Sequence, residues 1–415
     1  MLNTPFAPWP SFTKEEAQAA QKVLLSNQIN YWTGKEGRTF EKEFATWVGA
    51  QHAIALANGT VALEIALQAL DIGPGDDVIV SPRTFLASVS SIIRVGARPI
   101  FADVDLNSQN LTAKTIAAVL TPNTRAIICV HLAGWPCDME PILILAAQHQ
   151  LRVIEDCAQA HGARYKGKSV GSIGDIGCWS FCQDKIISTG GEGGMVTTND
   201  EALWRKMWAY KDHGKSYAAV YERKHSPGFR WLHEDFGTNA RMTEIQAAIG
   251  RIQLQRMPDW TRRRNAHAAA ITQALAPYAE SNGYIRLTPF YGHHACPSDT
   301  SAQPYPQDDI HAYYKYYCFI RPENLAPGWN RDRVITEINA AGVPCYPGSC
   351  SEVYLEKAFD SAGYRPAQRL PNARILGETS LMFLVHPNLT SAEINQTTTV
   401  TTSVLQQASS VTTTA

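Results

Sequence analysis

Between residues 53 and 156 the chain alternates short apolar runs with amphipathic stretches. The runs fall at 53–56, 78–80, 99–102, 126–130 and 153–155, and helical patterns occupy 60–70, 85–94, 112–118 and 141–149. Each run is apolar on both faces, and ten or more residues separate one from the next. That pattern predicts parallel strands joined by crossover helices. Upstream, Thr13-Lys14-Glu15-Glu16 forms a capping box that opens a helix to about residue 26. A loop at 30–34 follows, whose two aromatics, Tyr31 and Trp32, either stand exposed or pack the arm, and then a helix at 39–48. Past residue 194 the pattern predicts a strand at 195–198, a helix at 201–210 and a long amphipathic helix after Thr243. This helix continues beyond Pro258 to about residue 274. From residue 284 the pattern changes to strand-like runs at 284–287, 314–320 and 343–346 with a helix at 332–340. The expected architecture is α/β, with an N-terminal arm and large domain over 1–255. A smaller α+β domain covers 256–415, with a tail expected to be disordered from about 409.

Composition narrows the class without changing this picture. A chain of 415 residues, 45% hydrophobic and 18% charged, suits an ordinary globular protein of two domains. A net charge of −1 provides no global field for nucleic acid or an anionic membrane. The nine cysteines form no C-x-x-C pair, which argues against a disulfide framework or a structural zinc site. The first residues lack the basic and apolar regions of a signal peptide, and no apolar run approaches the ~20 residues of a membrane span. A cytoplasmic protein is expected.

In such sheets ligands bind beyond the carboxyl ends of the strands. After 53–56 comes Asn58-Gly59-Thr60, a helix start able either to hold an anion or to serve as an ordinary cap. After 78–80 comes Phe85, a ring for stacking or for the core. After 153–155 comes Asp156, whose partner is a protonated ring nitrogen, a ribose, a metal or none. Further on, Lys185 lies between Ser180 and the Gly190-Gly191-Glu192-Gly193-Gly194 run. Pyridoxal 5′-phosphate needs an amine, an anion cradle, a carboxylate for its ring nitrogen and a flat neighbour. Lys185 as a Schiff-base lysine, Asn58-Gly59-Thr60 with Ser180, Asp156 and Phe85 fill those roles in turn. Lys185 also suits the base that moves a proton during transamination. His293 and His294 lack a third ligand at useful spacing, so no metal is expected. No G-x-G-x-x-G follows the first run, which disfavours a nucleotide-binding dehydrogenase.

The chain resembles the DegT/DnrJ/EryC1/StrS family of sugar aminotransferases, which are fold-type I pyridoxal-phosphate enzymes. The resemblance runs from the N-terminal arm to the helix near Leu405. It is carried by Asn58-Gly-Thr-Val-Ala-Leu63, Ile72-Gly-Pro-Gly-Asp76, Phe101-Ala-Asp-Val-Asp105 and His131-Leu-Ala-Gly134. Further on it is carried by Glu155-Asp-Cys-Ala-Gln-Ala160, Ser180-Phe181 with Lys185 and Gly191-Glu-Gly-Gly194, Asn239-Ala-Arg-Met242 and Leu370-Pro-Asn-Ala373. It implies a large domain with a mostly parallel seven-stranded sheet. It also implies that Gln159 lies by the cofactor's ring hydroxyl, and that Asn239 reaches the cofactor phosphate of the neighbouring subunit in a homodimer with shared active sites. The implied reaction moves an amino group, usually from L-glutamate, to a ketone on a nucleotide-linked sugar for surface polysaccharide or glycosylated metabolites. Dehydratases of the family replace the lysine with histidine, so Lys185 argues against that branch. Three departures stand out: Asn58 where serine is common, a long insertion at 291–309, and a Cys345–Cys350 segment lacking the usual histidine-tyrosine pair. An aminocyclitol precursor or another small ketone is the alternative substrate. A non-catalytic regulator that binds the cofactor is the alternative role.

Overall fold

The computed structural model describes residues 5–228, 230–280, 283–288 and 309–409. The expectations for 291–308, including His293 and His294, and for the tail at 410–415 lie outside the described residues. In chain order the large sheet begins with β1 (His52–Leu56), β2 (Asp77–Val80), β3 (Arg98–Phe101), β4 (Thr124–Val130) and β5 (Arg152–Asp156). A small hairpin of β6 (Arg164–Tyr165) and β7 (Lys168–Ser169) intervenes before β8 (Ile176–Ser180) and β9 (Gly194–Thr198) complete the sheet.

The seven-stranded order is β1-β9-β8-β5-β4-β2-β3. Strands β3, β2, β4, β5 and β8 run parallel, while β9 is antiparallel to both β8 and β1. The first strand therefore does not pair with the second, and the sheet is mixed. The reversal has a direct cause: β8 and β9 are neighbours joined by the loop 181–193, which carries Lys185. Strand β8 escapes a reading by hydrophobic runs because Gly177 interrupts it. That glycine is required, since a Cβ there would lie 2.5 Å from Gly171 Cα. Aliphatic side chains from the strands and from helices such as Gly59–Ala69 fill the main core.

The small antiparallel sheet is ordered β10-β11-β13-β12, with β10 (Ile285–Arg286), β11 (Tyr316–Ile320), β12 (Cys345–Tyr346) and β13 (Ser380–Phe383). The strand at 380–383 and the helix Pro371–Thr379 before it are additions to the sequence reading. One helix, Glu244–Leu275, runs unbroken through Pro258 and supplies Ala268, Ile271 and Leu275 to the core beneath this sheet. The expected division at residue 255 falls inside it. Tyr31 is not exposed: at 2% accessibility it packs under the Lys211 ammonium, 3.7 Å from the ring centre, and its hydroxyl donates to Glu41 Oε2 at 3.2 Å.

The N-terminal arm lies on the small domain. Phe6 is buried in the small core, the Ala7 N–H donates to Glu393 Oε1 at 2.5 Å, and Asn388 Nδ2 donates to the Pro8 carbonyl at 3.4 Å. Among the described residues no helix is long and apolar enough to cross a membrane.

Candidate active site

A cavity of about 640 Å³ opens at the carboxyl ends of β1, β5 and β8. It gathers Asn58, Gly59, Thr60, Phe85, Asp156, Gln159, Ser180 and Lys185 from segments spread over more than a hundred residues. Asn239 does not line it; that residue is exposed, and its backbone bridges to that of buried Asp212. A second cleft of about 560 Å³, walled by Trp204, Trp208 and Tyr217, shares no residue with the first.

The helix Gly59–Ala69 starts at the end of β1, and its first turn forms one wall. Asn58 adopts an extended backbone, and its Oδ1 accepts the Val61 N–H at 2.9 Å, fixing the start of the helix. The Gly59 and Thr60 N–H groups at the first turn have no partner within the helix and face an incoming anion. Gly59 is needed for this approach, because a Cβ there would stand 2.6 Å from Ser180 Cβ. Gly59, Thr60 and Ser180 thus line the same part of the cavity, with backbone N–H groups and two hydroxyls among them. Lys185 is the only Lys or Arg lining the cavity among the described residues.

Asp156 ends β5 and is almost fully buried. Its Oδ2 accepts the Ser88 hydroxyl at 2.7 Å and its Oδ1 the Ala158 N–H at 3.2 Å. Burial pushes its carboxyl above the ordinary range, and the Ser88 bond only partly offsets this. An acid in that condition calls for a cationic partner. Ser88 is itself held by the Thr84 hydroxyl at 2.7 Å, one helical turn earlier. Neither residue stands out in sequence; they become visible only once the helix start after β2 is placed beside β5. Gln159 Oε1 accepts the Ala133 N–H at 2.8 Å, which commits the carbonyl end of its amide and leaves the NH2 end as a donor. Phe85 is 70% exposed, so it is no core residue, and it borders the cavity as a flat, accessible ring.

Lys185 has its ammonium 3.5 Å from Asp184 Oδ1 and 5.2 Å from the centre of the Tyr314 ring. The Tyr314 hydroxyl donates to Asp184 Oδ2. Burial raises the Asp184 carboxyl, but Lys185 and Tyr314 outweigh it and hold the group below the ordinary range. Tyr314 comes from the connection to β11, so motif spacing around the lysine could not find it. Ser349 and Cys350 complete the rim, which brings the Cys345–Cys350 segment to the site.

Behind the cavity His131, Glu155 and Cys157 cluster in a way that invites a metal reading. Their bonds argue otherwise. His131 Nδ1 accepts the Cys137 N–H at 3.0 Å, so its Nε2 carries the proton and donates to Glu155 Oε2 at 3.0 Å. Glu155 also accepts N–H groups from Gly171, Ile173 and Gly174 at 2.9, 2.9 and 2.8 Å. No lone pair is left to hold an ion, and burial keeps the Cys157 thiol protonated. The cluster clamps the end of β5, and the His131 N–H bonds the Asp156 carbonyl at 3.2 Å. Burial raises the Glu155 carboxyl, but His131 and the backbone donors more than reverse this and leave it below its ordinary value of 4.5. A lowered carboxylate contributes stability above its unfolded value and loses it as pH falls through the folded one. Glu155→Gln should therefore lower stability by roughly 2–3 kcal/mol at pH 7. Urea midpoints should show the gap closing as the pH drops below 4.5.

The arrangement fits a flat phosphorylated aldehyde. The Gly59 cradle offers donors to a dianion, Asp156 needs a cation, Phe85 offers a face, and Lys185 is the amine. Comparison with known proteins gives the same direction. The DegT/DnrJ/EryC1/StrS aminotransferase family model matches residues 10–402. The solved aminotransferase from Psychrobacter cryohalolentis superposes with a TM-score of 0.92 at 62% identity, covering 97% of this chain and 100% of that one. Spore coat polysaccharide biosynthesis protein SpsC of Bacillus subtilis is 36% identical over 392 residues, 93% of each chain. GDP-perosamine synthase of Caulobacter vibrioides is 37% identical over 374 residues, covering 88% of this chain and 90% of that one. With a match over nearly its whole length and a shared fold, this chain belongs to the DegT/DnrJ/EryC1/StrS aminotransferase family and is a pyridoxal-phosphate-dependent, fold-type I enzyme.

Proposed function

We propose that the enzyme transfers an amino group from L-glutamate to the keto carbon of a nucleotide-linked sugar destined for polysaccharide or a glycosylated metabolite. The observation that carries the site assignment is the meeting of Lys185, Asp156 and the Gly59 helix start in one cavity. The substrate follows from the relatives, one of which is described as a GDP-perosamine synthase and another as a polysaccharide biosynthesis protein. Bound pyridoxal phosphate supplies an electron-withdrawing ring that stabilises charge on the carbon losing its proton. Lys185 carries the covalent link and, once released, moves that proton with its free amine. Asp156 keeps the ring nitrogen protonated, and Ser88 holds the carboxylate in place. Gly59, Thr60 and Ser180 hold the phosphate, Phe85 covers the ring, and the Gln159 NH2 group donates to the ring hydroxyl.

Asn239 lies outside its own cavity and is exposed, a position that suits contact with the phosphate held by a second copy in a homodimer. The eight described cysteines are all free thiols, which suits a reducing compartment such as the cytoplasm. The test is spectroscopic and chemical. Glutamate should bleach the visible band of the purified enzyme, and a nucleotide-linked keto sugar should restore it while giving an amino sugar by mass. A band that no amino donor alters sinks the reading.

A further inference from the structure

We propose that Trp9 is a positioning residue for Lys185, through which the N-terminal arm couples the small domain to the reactive lysine. The inference rests on Lys185 being the cofactor link. The Trp9 Nε1–H donates to the Lys185 carbonyl at 2.9 Å, a contact spanning 176 positions of sequence. The lysine's own N–H is taken by the Cys182 carbonyl at 3.0 Å, so both of its backbone polar groups are held.

The indole is itself gripped on several sides. His386 stacks on it at 5.7 Å, Trp260 meets it edge-on at 5.0 Å, and the Arg264 guanidinium lies 5.0 Å from its centre. Burial pushes His386 down to about 2, so the stacked imidazole is neutral and offers an uncharged face. The residues just before Trp9 are fastened to the small domain through Phe6, Ala7 and Pro8, as described above.

A second route reaches the same loop from the same segment. Buried Glu16 accepts Gln253 Nε2 at 3.3 Å, and Gln253 Oε1 accepts the Ser188 N–H at 2.8 Å. Residues 185 and 188 are thus both tied, directly or through one glutamine, to the stretch 9–16. Any shift of the small domain relative to the sheet is passed by the arm to the Lys185 carbonyl. A misplacement near 1 Å at a reacting group costs about 100-fold in rate.

Trp9→Phe tests this, because it removes the N–H and keeps an aromatic ring between His386 and Trp260. In the cofactor-free protein, hydrogen exchange over 182–189 should speed up by about 3- to 10-fold, the factor expected for losing one such bond. In the holoenzyme, cofactor release should accelerate and kcat should fall by about 10-fold or more, with the KM for glutamate little changed. Wild-type exchange, release and kcat in a variant with an unaltered Tm would overturn the proposal. So would a loss of Tm with kcat and KM moving together, the result expected if Trp9 only packs the arm. Borohydride trapping on the wild-type enzyme separates the two layers. Absence of label on Lys185 defeats the cofactor link itself, whatever Trp9→Phe does to exchange.

Discussion

Lys185→Ala should lower turnover by at least about 10³-fold and abolish the visible band of bound cofactor, while the protein stays folded. The size of the effect follows from the cavity. Lys185 is the only amine lining it among the described residues, so nothing nearby can replace either the covalent link or the proton carrier. The substitution leaves the Gly59 helix start, Ser180 and Asp156 untouched, so the cofactor should still bind, without a covalent bond. It also removes the cation beside Asp184, but that carboxylate is 59% exposed and keeps the Tyr314 hydroxyl, so thermal stability should change little. The measurements are a single-turnover assay, an absorbance spectrum and a melting curve on one preparation. An unchanged band in the variant removes Lys185 from the mechanism.

Asp156→Asn should cost about 10²–10³-fold in kcat, the usual penalty for deleting a charge aimed at the developing transition state. A stability control sets this variant apart from a mere folding defect. Burial raises the Asp156 carboxyl in the folded, cofactor-free protein. A raised acid favours the fold below its unfolded value near 3.8, and that contribution disappears as pH rises through the folded value. At pH 7 the ionised aspartate is therefore a burden on the empty protein, which asparagine relieves. The cofactor-free variant should melt no lower than the wild type at pH 7, and its advantage should shrink in acid. With cofactor the order should reverse, since only the aspartate can meet a cationic ring nitrogen. A variant that retains kcat within about threefold would refute the role.

Much of this could be read from residue order. The crossover alternation was visible because each buried strand between β2 and β5 is a short apolar run, and Asp156 stood out as an acid at the end of one. Strand β8 was not, because Gly177 and the turn at Gly171 trade side-chain pattern for close backbone approach. The antiparallel setting of β9 depends on pairing between strands, which apolar periodicity does not encode. Ser88 and Tyr314 reach the site from remote segments whose local patterns suit an ordinary helix and an ordinary strand start. Residue order leaves Tyr31 open between exposure and packing, because the Lys211 that covers its ring lies far along the chain.

The docking of the arm also sets an order of events during synthesis. The Ala7 N–H finds its acceptor on Glu393, 386 positions later. A ribosome that has made the whole large sheet has still not made the helix on which the arm rests. Until that helix emerges the arm lacks the Ala7–Glu393 bond that fastens it just before the indole. The arm is thus made long before the helix that accepts its Ala7 N–H.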